Sequence, residues 1–79
     1  MNTVNSLAIR QQGVVRALVA PPGQPEWAQY LSDLGFEAGE IVTVLRRGLL
    51  GGDPLVVRVG LSTYALRGAE ASCVQVEPI

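Results

Sequence analysis

A small, strongly bent β barrel of about five strands, with one helix inserted after the first strand, is the mainly β fold this sequence predicts. Three observations predict it. Short apolar and polar alternations recur at 14–19, 41–47, 55–59, 63–67 and 73–77, which is the two-residue period of half-buried strands. Only the stretch from Pro25 to Leu34 changes to a helical period, and glycine- or proline-rich connections separate the runs. The 79 residues suit one domain, residues 1–79, because a chain this size buries only about 60% of the surface it exposes when unfolded.

In the first strand, Val14 to Val19, alternation places Val15, Ala17 and Val19 on one face and Arg16 on the other. Pro21-Pro22-Gly23 ends it. The helix follows, with Pro25 suited to its first turn and Glu26 favourably near its positive end; Trp27, Tyr30, Leu31 and Leu34 share a face. Trp27 and Tyr30 read as core anchors, since aromatic side chains bring the largest burial per residue. Gly35 suits a left-handed cap.

Ile41 to Arg47 is the second strand, with Val42 and Val44 inward, and Leu55 to Val59 is the third, with Leu55, Val57 and Val59 inward. Pro54 stands at the entrance of the third, where a missing donor is tolerated. A tight Gly60-Leu61-Ser62 connection leads to the fourth strand, Thr63 to Arg67. Residues 68–72 make one helical turn, in which Arg67 and Glu70 read as a local ion pair, and Cys73 to Glu77 closes the chain with Val74 and Val76 inward. A second apolar row, Val14, Leu18, Ile41 and Leu45, should have been polar in a half-buried sheet. The expectation is that the helix covers it; an exposed remnant would favour homodimerisation through a shared face.

Composition excludes several function classes. All six basic residues are arginines spread along the chain, and seven carboxylates bring the net charge to −1, so the concentrated basic surface of a nucleic-acid binder is absent. There is no lysine for a phosphate-binding P-loop and no histidine to serve as a general base, which argues against an enzyme. The lone Cys73 supplies neither an internal disulfide nor a zinc site and reads as a small buried hydrophobe. No metal site or cofactor is expected, since Glu37, Glu40, Asp53 and Glu70 stand apart in sequence. No apolar run approaches the ~20 residues of a membrane span, and the first ten residues lack a signal peptide's pattern. The expected location is the cytoplasm, without direct membrane insertion.

Between the second and third strands lies Gly48-Leu49-Leu50-Gly51-Gly52-Asp53-Pro54. Leucines among glycines are hard to explain as solvated loop unless something covers them. Two readings stay open: the loop folds back to plug the end of the barrel, or it docks a partner. The residues assigned to partner binding are Arg47, Leu49, Leu50, Gly51 and Asp53, and Arg46 and Arg47 at the loop's border could meet an acidic surface.

Taken in order, Leu34-Gly35, Gly39, Val42, Val44, Leu50-Gly51, Asp53-Pro54, Ala65-Leu66-Arg67, Glu70-Ala71 and Val74 resemble the FeoA family over about Leu7 to Val76. The resemblance implies an SH3-like barrel and a non-enzymatic cytoplasmic accessory of ferrous iron uptake that acts by binding the membrane transporter FeoB. The chain departs from the family pattern with Ala38-Gly39 where Pro-Gly is common, Leu49 where proline is common, and Gly68 where a charged residue is common. An alternative is an SH3-like regulatory domain of the metal-dependent repressor type, against which stands a chain beginning at Met1 with no room for a DNA-binding module. A third is direct ferrous iron delivery, with carboxylates or Cys73 as transient ligands.

Overall fold

The computed structural model describes residues 2–79. After a 3-10 turn at Val4–Ser6 come β1 (Gln12–Leu18), α1 (Glu26–Leu34), β2 (Ile41–Arg47), β3 (Leu55–Val59), β4 (Ser62–Leu66), α2 (Gly68–Ala71) and β5 (Val74–Pro78). The strands form one antiparallel sheet in the order β4-β3-β2-β1-β5. The sheet is not closed by hydrogen bonds between β4 and β5, so the expected barrel is an open, SH3-like one. Its inner face supplies Val15, Val42, Val44, Leu55, Val57, Leu66, Val74 and Val76, and Leu31 and Phe36 join this core.

The second and third strands run over the residues their alternation predicts. The first does not keep its alternation. Pairing of β1 with β5 shifts register between Val15 and Ala17, and such a bulge turns every later side chain by one position. Leu18 therefore packs against the core, while Ala17 is exposed and Val19 is 53% exposed, so they do not share the buried face of Val15 as the alternation led one to expect.

A second irregularity, between Val44 and Arg46 in the β2–β3 pairing, leaves Leu45 half-buried and turns Arg47 partly inward. The apolar row expected beneath the helix is thus broken up. Leu18 joins the core, Val14 and Leu45 are half-buried, and Ile41 stands 47% exposed.

Along α1 the buried stripe is Trp27, Leu31 and Leu34; Tyr30 lies a hundred degrees around from Leu31 and is 46% exposed, so it is not the core anchor expected. Gly35 adopts φ +113°, a conformation that favours glycine. The Gly35 N–H donates to the Ser32 carbonyl at 2.9 Å and the Phe36 N–H to the Leu31 carbonyl at 3.1 Å, the paired bonds of a Schellman cap. This reversal drives Phe36 into the core. The Tyr64 hydroxyl donates to the Leu34 carbonyl at 2.8 Å, and its ring lies 6.0 Å from that of Phe36, tying the helix end to β4.

The expected Arg67–Glu70 ion pair takes a different form. Glu70 Oε1 accepts the backbone N–H of Arg67 at 2.9 Å, satisfying a donor at the start of α2 as in the acidic half of a capping box. The one side-chain ion pair among the described residues joins Arg16 and Glu77 across β1 and β5 at 2.6 Å, with both groups exposed.

Candidate docking loop

The loop between β2 and β3 is built from two fixed stems and an unsupported tip. At its neck the Gly48 N–H donates to the Pro54 carbonyl at 2.8 Å, extending the hairpin by one bond beyond the Arg47–Leu55 pair. The chain reverses through Gly51 and Gly52, with φ of +69° and +77°. Leu49 and Leu50 precede that reversal and are 102% and 88% exposed. They do not fold back to plug the sheet, so the first of the two readings of this loop is excluded.

Each stem is tied to a different part of the fold. The Arg47 guanidinium donates through Nη2 to the Asn5 carbonyl at 2.5 Å and the Leu7 carbonyl at 3.0 Å, and through Nη1 to Asn5 Oδ1 at 3.4 Å. Three bonds of a planar, always charged group hold one geometry. Arg47 thus supports the loop from within, and Arg46, its exposed neighbour, is left as the arginine offered to solvent. On the other stem Asp53 Oδ1 accepts the Gly68 N–H of α2 at 3.0 Å.

The N-terminal segment that receives Arg47 was not legible as structure. Val4 is fully buried and Leu7 nearly so, Thr3 bridges to Gln75, the Val76 N–H donates to the Asn2 carbonyl at 3.0 Å, and Asn5 Nδ2 donates to Ser72 Oγ at 3.1 Å. The only sequence signal was Val4 and Leu7 three residues apart among polar residues. Five residues assigned to partner binding therefore divide: Leu49, Leu50 and Gly51 form the exposed tip, while Arg47 and Asp53 anchor it.

No metal-holding cluster is assembled among the described residues: no three of Cys, Asp and Glu converge, and no buried side-chain polar atom lacks a partner. Open concavities occur, one of about 410 Å³ lined by Gln12, Glu40, Thr43 and Arg58 and one of about 260 Å³ lined by Val15, Leu18, Ser32, Phe36 and Glu37; no hydrogen bond joins Thr43 to Glu40 or Ser32 to Glu37. Cys73 is buried and its Sγ approaches the Ala69 carbonyl at 3.4 Å. Burial, and secondarily the Glu70 carboxylate, push the thiol's pKa up, which disfavours the thiolate that binds metals.

A measurable consequence follows from the sign of that shift. The folded thiol keeps its proton to higher pH than the unfolded one, so its contribution to stability is complete below the unfolded value and declines as pH rises through the raised folded value. Iodoacetamide at pH 8 is expected to label Cys73 at least about tenfold more slowly in native protein than in urea. Equal rates would show an accessible thiolate.

An SH3-like β protein whose most exposed apolar side chains stand on a stem-held loop is the class this geometry defines. A family model described as the FeoA domain matches residues 2–78. Among solved structures, FeoA of Stenotrophomonas maltophilia in complex with zinc is 35% identical, covers 98% of this chain and 91% of its own, and superposes with a TM-score of 0.88; it is described as a prokaryotic SH3 domain protein and a candidate activating factor of ferrous iron transport. FeoA of Chlorobium tepidum is 27% identical over 99% of this chain and 70% of its own, with a TM-score of 0.83. A manganese-dependent transcriptional repressor, 18% identical over 99% of this chain and 41% of its own with a TM-score of 0.81, shares the fold alone. Comparison with curated proteins gives no match. The chain belongs to the FeoA family.

Proposed function

We propose that this protein is a non-enzymatic, one-domain cytoplasmic accessory of ferrous iron uptake that binds the cytosolic side of a FeoB-type transporter through the loop between β2 and β3. The observation that carries this reading is a tip bearing two solvent-exposed leucines, Leu49 and Leu50, on stems held by Arg47 and Asp53. Pre-set stems reduce the ordering cost of association. The family membership supplies the iron-transport context, and no helix among the described residues is long and apolar enough to cross a membrane.

Burying both leucines is worth roughly 3 to 6 kcal/mol, short of the ~8 kcal/mol of a micromolar complex before association costs. Further surface takes part, and exposed Arg46 and Arg67 fit an acidic rim on the transporter. Leu50→Asp is expected to weaken co-purification with FeoB at least about tenfold and to leave the melting temperature unchanged, since the Leu50 side chain is exposed. A folded Leu50→Asp variant that binds as the parent does would take the loop out of the interface.

A further inference from the structure

We infer that β4 is a self-pairing edge through which two copies of this chain join their sheets into one. This stands on observations separate from the docking loop. The two edges of the sheet are treated differently. Beside β5 runs the N-terminal segment, with its Thr3–Gln75 bridge and the Val76 to Asn2 bond, and the strand itself carries Glu77 and Pro78. Among the described residues nothing comparable protects β4: Ser62-Thr63-Tyr64-Ala65-Leu66 has no charge and no proline, and its pairing with β3 runs without a bulge. Charge, proline, bulges and covering segments are the devices that keep edges from pairing.

The register shows which backbone groups are free. Val59 and Ser62 close a two-residue turn at Gly60–Leu61, so they form a hydrogen-bonded pair, and the pattern alternates along the hairpin. Ser62, Tyr64 and Leu66 direct their N–H and C=O groups to β3. Thr63 and Ala65 direct theirs outward, both residues are exposed, and no backbone or side-chain partner meets them among the described residues.

These four groups are self-complementary. A two-fold axis at Tyr64 sets Thr63 opposite Ala65 of the second copy and Ala65 opposite Thr63 of the second copy. Each pair exchanges two main-chain bonds, as residues facing each other in antiparallel strands do. An uncharged strand meets its own copy without like-charge repulsion, and in this register Arg67 falls opposite Leu61 of the second copy, so the two Arg67 side chains stand at opposite ends. A five-residue edge lies below the ~1,200 Å² of a standard interface, so the dimer is weak and reversible, with a dissociation constant of about 0.1 to 1 mM.

Sedimentation velocity of the full chain from about 10 μM to about 1 mM is expected to show a monomer converting reversibly to a dimer. Thr63→Pro removes an outward N–H that β3 does not use and is expected to weaken dimerisation at least tenfold. Ala65→Lys is the second variant: its side chain lies on the exposed face, and two lysines across the axis come to about 7–8 Å, with the same loss expected. A parent that stays monomeric at about 1 mM, or a dimer unmoved by folded Thr63→Pro or Ala65→Lys, overturns the assignment. A monomeric parent whose FeoB co-purification is lost in Thr63→Pro would give the edge to a transporter strand, also against self-pairing. Because Leu50→Asp leaves β4 intact, it should dimerise as the parent does, so failure of the loop reading and failure of this one are told apart.

Discussion

Phe36→Ala is expected to destabilise the protein by about 3 to 5 kcal/mol, the cost of removing a large aromatic side chain from a packed core. At 79 residues the typical per-residue stability gives roughly 4 to 12 kcal/mol in total, so this single truncation removes about a quarter or more of what holds the chain folded. The loss does not stay local. Phe36 is fully buried directly after the Schellman turn at Gly35, and its ring lies against Tyr64, whose hydroxyl holds the Leu34 carbonyl. A cavity there undercuts the C-terminal end of α1 and the inner face of β4 together. Leu31, Leu55 and Val57 of the same core are themselves fully buried, and a densely packed interior collapses only partly into such a space. Urea denaturation followed by circular dichroism measures the loss of free energy, and a thermal melt is expected to show a fall in melting temperature of roughly 12 °C or more for a domain of this size. A loss under about 1 kcal/mol would mean that the site closes over the gap, and that Phe36 is not the joint between helix and sheet.

Much of this architecture could be read from the residues because local preference and tertiary demand agree. At β2 and β3 the alternation of valines and leucines coincides with the buried face, and Pro54 and the glycines set the limits. Gly35 announced the helix end because only a left-handed residue closes that cap. What escaped was decided by contacts between distant segments. The bulge opposite β5 is set by pairing, not by any residue within β1, so a strict two-residue period placed Val19 on the face of Val15, whereas Val15 is buried and Val19 stands in solvent. Val4 and Leu7 lack a helical or strand period and enter the core only because the sheet leaves a place beside β5 for the N-terminal segment.

The docking loop divides in the same way. Its glycines and leucines mark an exposed tip in the sequence itself. The roles of Arg47 and Asp53 depend on Asn5, Leu7 and Gly68, which are far away in the chain. A charged residue at a strand end reads as solvated until its partners are known, and here those partners are two backbone carbonyls that no side-chain pattern announces. The Ala38 and Gly68 departures from the family pattern are accommodated: residue 38 is exposed, and at Gly68 a backbone N–H makes the contact with Asp53.

Gly48→Val is expected to cost about 3 kcal/mol, the upper end for overpacking, and to abolish docking. A Cβ at Gly48 would lie 2.5 Å from the Asp53 carbonyl oxygen and 2.7 Å from its carbon, inside van der Waals contact with backbone that has no rotamer to change. Relief requires the two stems to separate. That breaks the Gly48 to Pro54 bond, draws the Asp53 carboxylate from the Gly68 N–H, and moves Leu49 and Leu50 from the position the stems give them. The comparison that isolates the cause is Gly51→Ala. No atom lies within 4 Å of its Cβ, but φ is +69°, so only the left-handed penalty of about 1 to 2 kcal/mol applies, and the stems stay closed. Thermal melts and FeoB co-purification read together separate three outcomes. Leu50→Asp loses binding with stability intact, Gly48→Val loses both, and Gly51→Ala loses some stability while retaining most binding. Normal binding by Gly48→Val would show that the transporter accepts the leucines wherever the stems place them, and would remove pre-set geometry from the account of docking.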